Sequence, residues 1–489
     1  MSGKNIVIIG GGMAGLTTAA YLVKEGYSVR IFEQHYLPGG YVSSFARGGF
    51  TFPAGPTSFG SNGIIFPILN ELGLDKHIKF VEAHHQISWG ANDISLQNPT
   101  QTMNDLKASF PNERNALRRY FRWVDIGSRA FRDSLKSGLM FGRDVLKNIL
   151  KLGFKHPLFT WAFWVASKHT NRSLHDYYFN DKTLRQLLNQ LGYPVMSGKN
   201  ELGMWSSYFF DTWVPVGGMQ VLPNIFEQFI LENGGELTYG KSVKKIIIKN
   251  EQACGVELQN GELIYADYVV SAADFNKTCL QMIGRSHLSK EIINKIENAQ
   301  PSESVFAVFL GIFGSSEISA SLKRFKQSHV NFTCKDGKYI QLVLLSKDDP
   351  TTAPEGKHAL FIASLSPYGE WVSVKNNQQL YKTKKEEYTE EIISRAEEFI
   401  PGLRAHISVL EAATPLTYER YTGNWCASTS GWNWDPKVAP HFEFSKELPI
   451  KNFYPVGHYV HNPGGVPTAM ITAWYTAQTI IKQRENLSD

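Results

Sequence analysis

The sequence predicts an α/β protein: a Rossmann-type parallel-sheet domain, gathered from separate stretches of chain, with a mixed α+β domain inserted. Three observations predict it. A unit of strand, glycine turn, helix, strand and acid occupies residues 6–34. Glycine-punctuated stretches at 214–274 and 452–481 look like returns to that unit. Strand-rich runs of a different character lie between the returns, at 301–412.

The first unit starts with Ile6 to Ile9, an apolar β-branched run long enough for a buried parallel strand. It stops at Gly10, and Gly10, Gly12 and Gly15 stand in G-x-G-x-x-G spacing. The first glycine permits a tight turn and the second lets a pyrophosphate approach the backbone. The third lets the following helix pack close to the strand. Met13 to Glu25 reads as that helix, with Gly26 as its left-handed cap. Its N-terminus offers free N–H groups and the positive end of a dipole to phosphate. Ser28 to Phe32 is a second strand, closed by Glu33, 18 residues after Gly15. A carboxylate there can accept both hydroxyls of an adenosine ribose. An α/β unit that held no nucleotide would leave Glu33 and three glycines without a reason.

The next stretch, 35–60, is rich in glycine, and its backbone at Gly39 and Gly40 can run close against a phosphate or a ring. Residues 76–212 are expected to be mainly helical. The return at 214–274 reads as a loop, a helix from about Leu222 to Glu232, and strands over 236–239, 243–249 and 253–258. A turn at Asn260-Gly261 and a strand ending at Val270 come next. The runs "SVFAVFLGIF", "YIQLVLLS" and "HALFIASLS" between 301 and 412 predict a sheet that could floor the site. The last return, 452–481, gives a strand, Gly457, a Pro463-Gly464-Gly465 loop and a helix from about Val466, which sets a second helix N-terminus at the same cofactor. The division is therefore 1–75, 213–300 and 421–489 for the cofactor domain, 76–212 for a helical substrate and membrane-contact region, and 301–420 for the sheet and helices of a substrate domain. No second strand-linked glycine fingerprint exists. A cofactor touched by both ends of the chain is long, which favours FAD over NAD.

Composition sets limits. With 43% hydrophobic and 19% charged residues the chain is ordinary for a globular protein. Its four cysteines form no C-x-x-C pair, which argues against a disulfide framework or a metal site and suits a reducing, cytoplasmic compartment. The glycine fingerprint marks the first apolar stretch as a fold element and not a signal peptide. No uninterrupted apolar run reaches the ~18 residues of a spanning helix. Charge is unevenly spread. From Arg132 to Arg172 eight cations face two carboxylates, a net of +6 against +5 for the whole chain. Arg143, Lys147, Lys151 and Lys155 make one helical stripe, and Phe159, Trp161, Phe163 and Trp164 come after it. A basic stripe with an aromatic face is the pattern of a helix lying in a membrane interface. A solvated helix followed by a core segment is the plainer alternative. No nucleic-acid-binding module accompanies the charge, so nucleic acid is not expected as a partner.

Taken together, these segments resemble the phytoene desaturase superfamily of FAD proteins, and the resemblance runs the length of the chain. That superfamily is a branch of the amine-oxidase-like flavoproteins and includes carotenoid (prolycopene) isomerases and retinol saturases. The resemblance implies that Gly10, Gly12, Gly15 and Glu33 hold the ADP part of FAD, with Gly39 and Gly40 near the pyrophosphate and flavin. It places the backbone of Val243 at the adenine, and Gly457, Gly464, Gly465, Val466 and Pro467 along the flavin. It also implies an apolar polyene or lipid substrate, met at the membrane through residues 132–164 by a peripherally bound protein. The match has departures. Desaturases usually show an arginine after the paired glycines, where this chain has Tyr41, and an aspartate before the "AGPT" string, where it has Pro53. Carotenoid isomerases lack that arginine too, which sets cis–trans isomerisation ahead of dehydrogenation. Saturation of a retinoid or lipid, amine oxidation, and lipid chaperoning in the manner of Rab GDP-dissociation inhibitors are the alternatives. Acid–base candidates are His458 and His461, inside the flavin-side loop. Cys426, 31 residues before Gly457, is either a free thiol or a flavin-linked one.

Overall fold

The computed structural model describes residues 4–136, 153–192, 195–435, 437–438, 448–461 and 464–485. Five parallel strands form the first sheet, in the order 453–455, 268–271, 5–9, 28–32, 236–238. The three stretches assigned to one domain thus supply neighbouring strands. Both faces are covered, which is why Ile6 to Ile9 is continuously apolar. Ile6 and Ile8 pack with helices Met13–Lys24, Val221–Glu232 and Val466–Glu485. Val7 and Ile9 pack on the other side, against a three-stranded antiparallel sheet that includes Val243–Lys249 and Gln252–Leu258.

A seven-stranded sheet makes the floor of the second domain, in the order 407–413, 305–313, 357–365, 339–344, 329–333, 85–89, 92–96. The three expected runs are central strands. Alternation along Val305–Phe313 divides its faces. Phe306, Val308, Leu310 and Ile312 pack toward helix Gln378–Phe399, while Ala307 and Phe309 pack against Phe50 and Phe52 of strand Phe50–Pro53. The second face therefore looks at the glycine-rich loop of the first domain.

The stretch 76–212 is mainly helical, as expected, but not from its start. Its first part is Phe80–Glu82, His85–Trp89 and Asn92–Leu96, all strands, and the last two belong to the seven-stranded sheet. His85–Trp89 pairs in parallel with His329–Thr333. Both strands are short and carry polar residues, so neither gives a clear local period. Helices begin at Pro99 and bury Tyr120, Trp123, Trp205 and Phe209 in their own core.

The basic stripe at Arg143, Lys147 and Lys151 lies outside the described residues. The aromatic segment beyond it reaches the helical core only through Ala162, Ala166 and the partly buried Phe159. Helix Pro157–Ser167 buries only Ala162 and Ala166, leaving Leu158, Trp161, Phe163 and Trp164 exposed beside an exposed Phe154. Among the described residues no helix is long and apolar enough to cross a membrane.

Candidate active site

The cofactor end is built almost entirely from backbone. Gly10 turns with φ +97°, a conformation that suits glycine. A Cβ at Gly15 would stand 2.0 Å from the Gly10 carbonyl oxygen, so the helix approaches the strand only because Gly15 has no side chain. At Gly12 the opposite holds. A Cβ there would meet nothing within 4 Å, and no side chain caps the helix that Gly12 begins. Open space at an uncapped helix N-terminus fits a pyrophosphate.

Glu33 closes strand Ser28–Phe32 and is 8% exposed. Its Oε2 accepts from the Gly11 amide at 2.6 Å and its Oε1 from the His35 amide at 2.7 Å. Each oxygen keeps a lone pair for a ribose hydroxyl. The Gly39 amide donates to the Gly11 carbonyl at 2.8 Å, which lays the 39–44 loop alongside the fingerprint. Gln220 fixes that loop by donating to the Pro38 carbonyl and accepting from the Ser44 amide, each at 3.0 Å. From the second return, the Lys241 amide donates to the Glu33 carbonyl at 2.9 Å, so the chain entering the buried Val243 runs beside the ribose acceptor. From the third, a Cβ at Gly457 would lie 3.8 Å from Ala14 Cβ, at the start of the fingerprint helix. Gly464 has no room for a Cβ, which would fall 2.0 Å from the Ser430 carbonyl. Val466 and Pro467 begin the last helix. The structure therefore brings Gly10, Gly12, Gly15, Glu33, Gly39, Gly40 and Gly457 to one helix end, and the residues present fit FAD.

Tyr41 occupies the position where an arginine would be expected. Its hydroxyl donates to the carbonyls of Ser428 at 3.1 Å and Ala427 at 3.4 Å. That tie holds a turn in which Cys426 and Ala427 both sit at φ +53°. Burial, with Glu419 nearby, pushes the Cys426 thiol up to about 11, which keeps it protonated and poorly nucleophilic at neutral pH. Of the two candidate histidines, burial pushes His458 down to about 4, so it is neutral, with its ring against Tyr459. His461 is exposed.

Sequence reasoning missed a second set of groups. A small cavity lies where the seven-stranded sheet meets the first domain, lined among others by Ser44, Thr57, Gly218, His329, Asp348 and Asp349. His329 Nε2 is 3.2 Å from Thr57 Oγ1, and its Nδ1 is 2.8 Å from Ser328 Oγ. Asp348 Oδ2 lies 3.9 Å from the same Nδ1. Asp349 accepts from the Gly217 amide at 2.7 Å and the Gly218 amide at 3.1 Å, pinning the loop on the far wall. These residues come from four distant segments. The only local signal was a histidine at the head of an apolar strand.

The sequence pattern of flavin-containing amine oxidoreductases matches residues 13–481. The 4,4'-diaponeurosporene oxygenase of Staphylococcus aureus (strain MW2) is 25% identical over 98% of this chain and 98% of its own. The chloroplastic prolycopene isomerase of Daucus carota is 25% identical over 85% of this chain and 70% of its own. Among solved structures, an oxidoreductase from Methanosarcina mazei superposes with a TM-score of 0.65 at 18% identity, covering 97% of this chain and 100% of its own.

Proposed function

The chain belongs to the flavin-containing amine oxidoreductase family, and from that premise we propose that it acts on a long apolar polyene of the carotenoid type. The reaction is cis–trans isomerisation or dehydrogenation. The protein is an FAD-dependent oxidoreductase. The observation that carries the substrate is the similarity, over 98% and 85% of the chain, to relatives named for two polyenes, diaponeurosporene and prolycopene. Bound FAD supplies a centre that accepts or returns a hydride. The chain holds it with the glycine turn and Glu33. It excludes water with the aromatic face of the sheet, where Phe45, Phe52, Phe309 and Phe361 meet. A part for His458 and His461 in proton transfer belongs to this proposal, supported by their position just after Gly457.

The same reading seats the protein peripherally on a membrane, where such a substrate dissolves. Its support is the exposed face of helix Pro157–Ser167, with Trp164 57% and the preceding Phe154 88% exposed. Lys168 Nζ lies 3.4 Å from the Trp164 ring centroid, the mixed aromatic and basic surface that suits an interface.

The test is anaerobic incubation with a panel of carotenoids, retinoids and unsaturated fatty acids, with flavin oxidised or pre-reduced, and products read by mass. Isomerisation gives unchanged mass with reduced flavin. Dehydrogenation gives a product two hydrogens lighter with oxidised flavin. Peroxide from amines in air, with every polyene returned unchanged, overturns the proposal.

A further inference from the structure

We propose that Thr57, His329, Ser328 and Asp348 form a proton relay in the wall of the small cavity between the seven-stranded sheet and the glycine-rich loop, with His329 taking the proton that leaves the polyene on dehydrogenation. The inference rests on the polyene reading and adds to it the group that completes the reaction.

The geometry is a single chain of contacts. Thr57 comes after strand Phe50–Pro53 and lines the cavity together with His329. Thr57 Oγ1 stands 3.2 Å from His329 Nε2, and on the other side of the ring Ser328 Oγ stands 2.8 Å from Nδ1. On that same side, Asp348 Oδ2 lies 3.9 Å from Nδ1. A carboxylate at the far end favours the proton on Nδ1, which leaves Nε2 with a lone pair toward Thr57. Burial keeps the ring neutral, holding it at about 4, and a neutral ring is the form that can accept.

A ring that only braced the sheet would look different, and the molecule contains one. His85 is the register partner of His329 in the neighbouring strand, with ring centroids 4.9 Å apart. Its Nδ1 is buried without a hydrogen-bond partner, and its ring rests edge-on against Tyr208 at 4.5 Å. His329 has a hydroxyl at each nitrogen and a carboxylate behind one of them.

The cavity also adjoins the loop that the cofactor needs. Ser44 and Gly218 line it with Thr57. The Ala54 amide donates to the Ser43 carbonyl at 2.8 Å, and a Cβ at Gly55 would fall 2.5 Å from the Tyr41 carbonyl oxygen. Strand and loop are therefore one layer, with Thr57 at its edge.

Dehydrogenation removes two hydrogens from adjacent carbons as the new C=C bond forms. Oxidised FAD, when bound, would be the acceptor for one of them with its electron pair. The other leaves as a proton, which the Thr57 oxygen accepts as its own hydrogen passes to Nε2. The resulting imidazolium faces Ser328 and Asp348, and returns its proton to water when the product departs.

The experiment compares His329→Gln, Thr57→Val and Thr57→Ser in the FAD-loaded full chain, with phytoene and diaponeurosporene in micelles as probes. Glutamine can keep the hydrogen bond to Thr57 but cannot take a proton. The expected result for H329Q is a fall in kcat of about 100-fold or more, with KM, the FAD dissociation constant and the melting temperature near wild type. T57V falls in kcat likewise, and T57S recovers most of the loss. Wild-type kcat in H329Q, or a KM that rises in step with the loss, overturns the relay and leaves the substrate reading standing. A wild-type protein that dehydrogenates neither probe overturns this inference, and one that leaves every polyene of the larger panel unchanged overturns the substrate reading as well. Should H329Q not fold, the Thr57 pair decides alone: equal kcat in T57V and T57S overturns the relay.

Discussion

Two helices of nearly equal length show what apolar sequence does and does not determine. Met13–Lys24 has 12 residues and buries eleven of them, while Pro157–Ser167 has 11, is if anything more aromatic, and buries two. The first is surrounded: Gly15 lets it approach the strand end at Gly10, and the last helix packs against another side. The second buries only Ala162 and Ala166 in its own bundle, with Phe159 partly packed beside them. Both segments are apolar, but among the described residues only the first is enclosed by its neighbours. The bare apolar face is what supports the proposed seat on a membrane.

The largest expected effect breaks the first helix from its strand. Gly15→Val places a branched side chain where even a Cβ lies 2.0 Å from the Gly10 oxygen. Overpacking against backbone should cost at least about 3 kcal/mol, read as a lost or much lowered denaturant midpoint. Gly12→Ala is its control. The site has room for the new Cβ, and the backbone there, at φ −73°, is open to any residue. Stability should hold while FAD affinity falls. Glu33→Ala should weaken FAD binding by about 1.5–3 kcal/mol, measured by flavin titration. Equal melting of the Gly12 and Gly15 variants would erase the distinction drawn between them.

Acid and base should separate the two helices next. His458 is next to Gly457, which abuts Ala14, and burial holds it at about 4 in the fold, below its ordinary 6.5. The unfolded chain then binds more protons between those values, so stability is lost as pH falls from 6.5 toward 4. The loss for one such group is on the order of 2–3 kcal/mol. Beneath Pro157–Ser167, His175 is shifted the other way. Burial alone would lower it, but the Glu201 carboxylate 2.8 Å from Nε2 raises it. Its contribution is full below 6.5 and is lost as pH rises through the folded value. Hydrogen exchange at pH 5 and pH 8 should therefore loosen the cofactor end in acid and the helical bundle in base. The same sign at both ends would refute the assignment.

The smallest effect on stability, and the sharpest on location, comes from Trp161→Ser with Trp164→Ser. Both rings are exposed, so the midpoint should move by no more than about 0.5 kcal/mol. Flotation with anionic vesicles should nonetheless fall tenfold or more. Unchanged flotation would return this face to ordinary solvent.

Legibility in the sequence divides along the same line. The strand of Ile6 to Ile9, the Val221–Glu232 helix and the turn residues of the cofactor end announce themselves, because backbone geometry restricts which residues can stand there. The three central strands of the large sheet were equally plain as apolar runs. His85–Trp89 was not, since its strand character comes from pairing with a segment far along the chain. The relay was hidden for the same reason: Thr57, Ser328, His329 and Asp348 share no local pattern, and only the tertiary fold makes them neighbours.

That distant pairing has a consequence for how the protein is made. His85–Trp89 and Asn92–Leu96 can form their hairpin early, but the partner strand His329–Thr333 leaves the ribosome about 240 residues later. At typical elongation rates of about 5–20 residues per second the wait is roughly 12–48 s. Through that interval the hairpin presents an open edge to every other nascent chain nearby. Efficient production of this protein therefore depends on what shelters that edge during synthesis, and slowing translation lengthens the exposure.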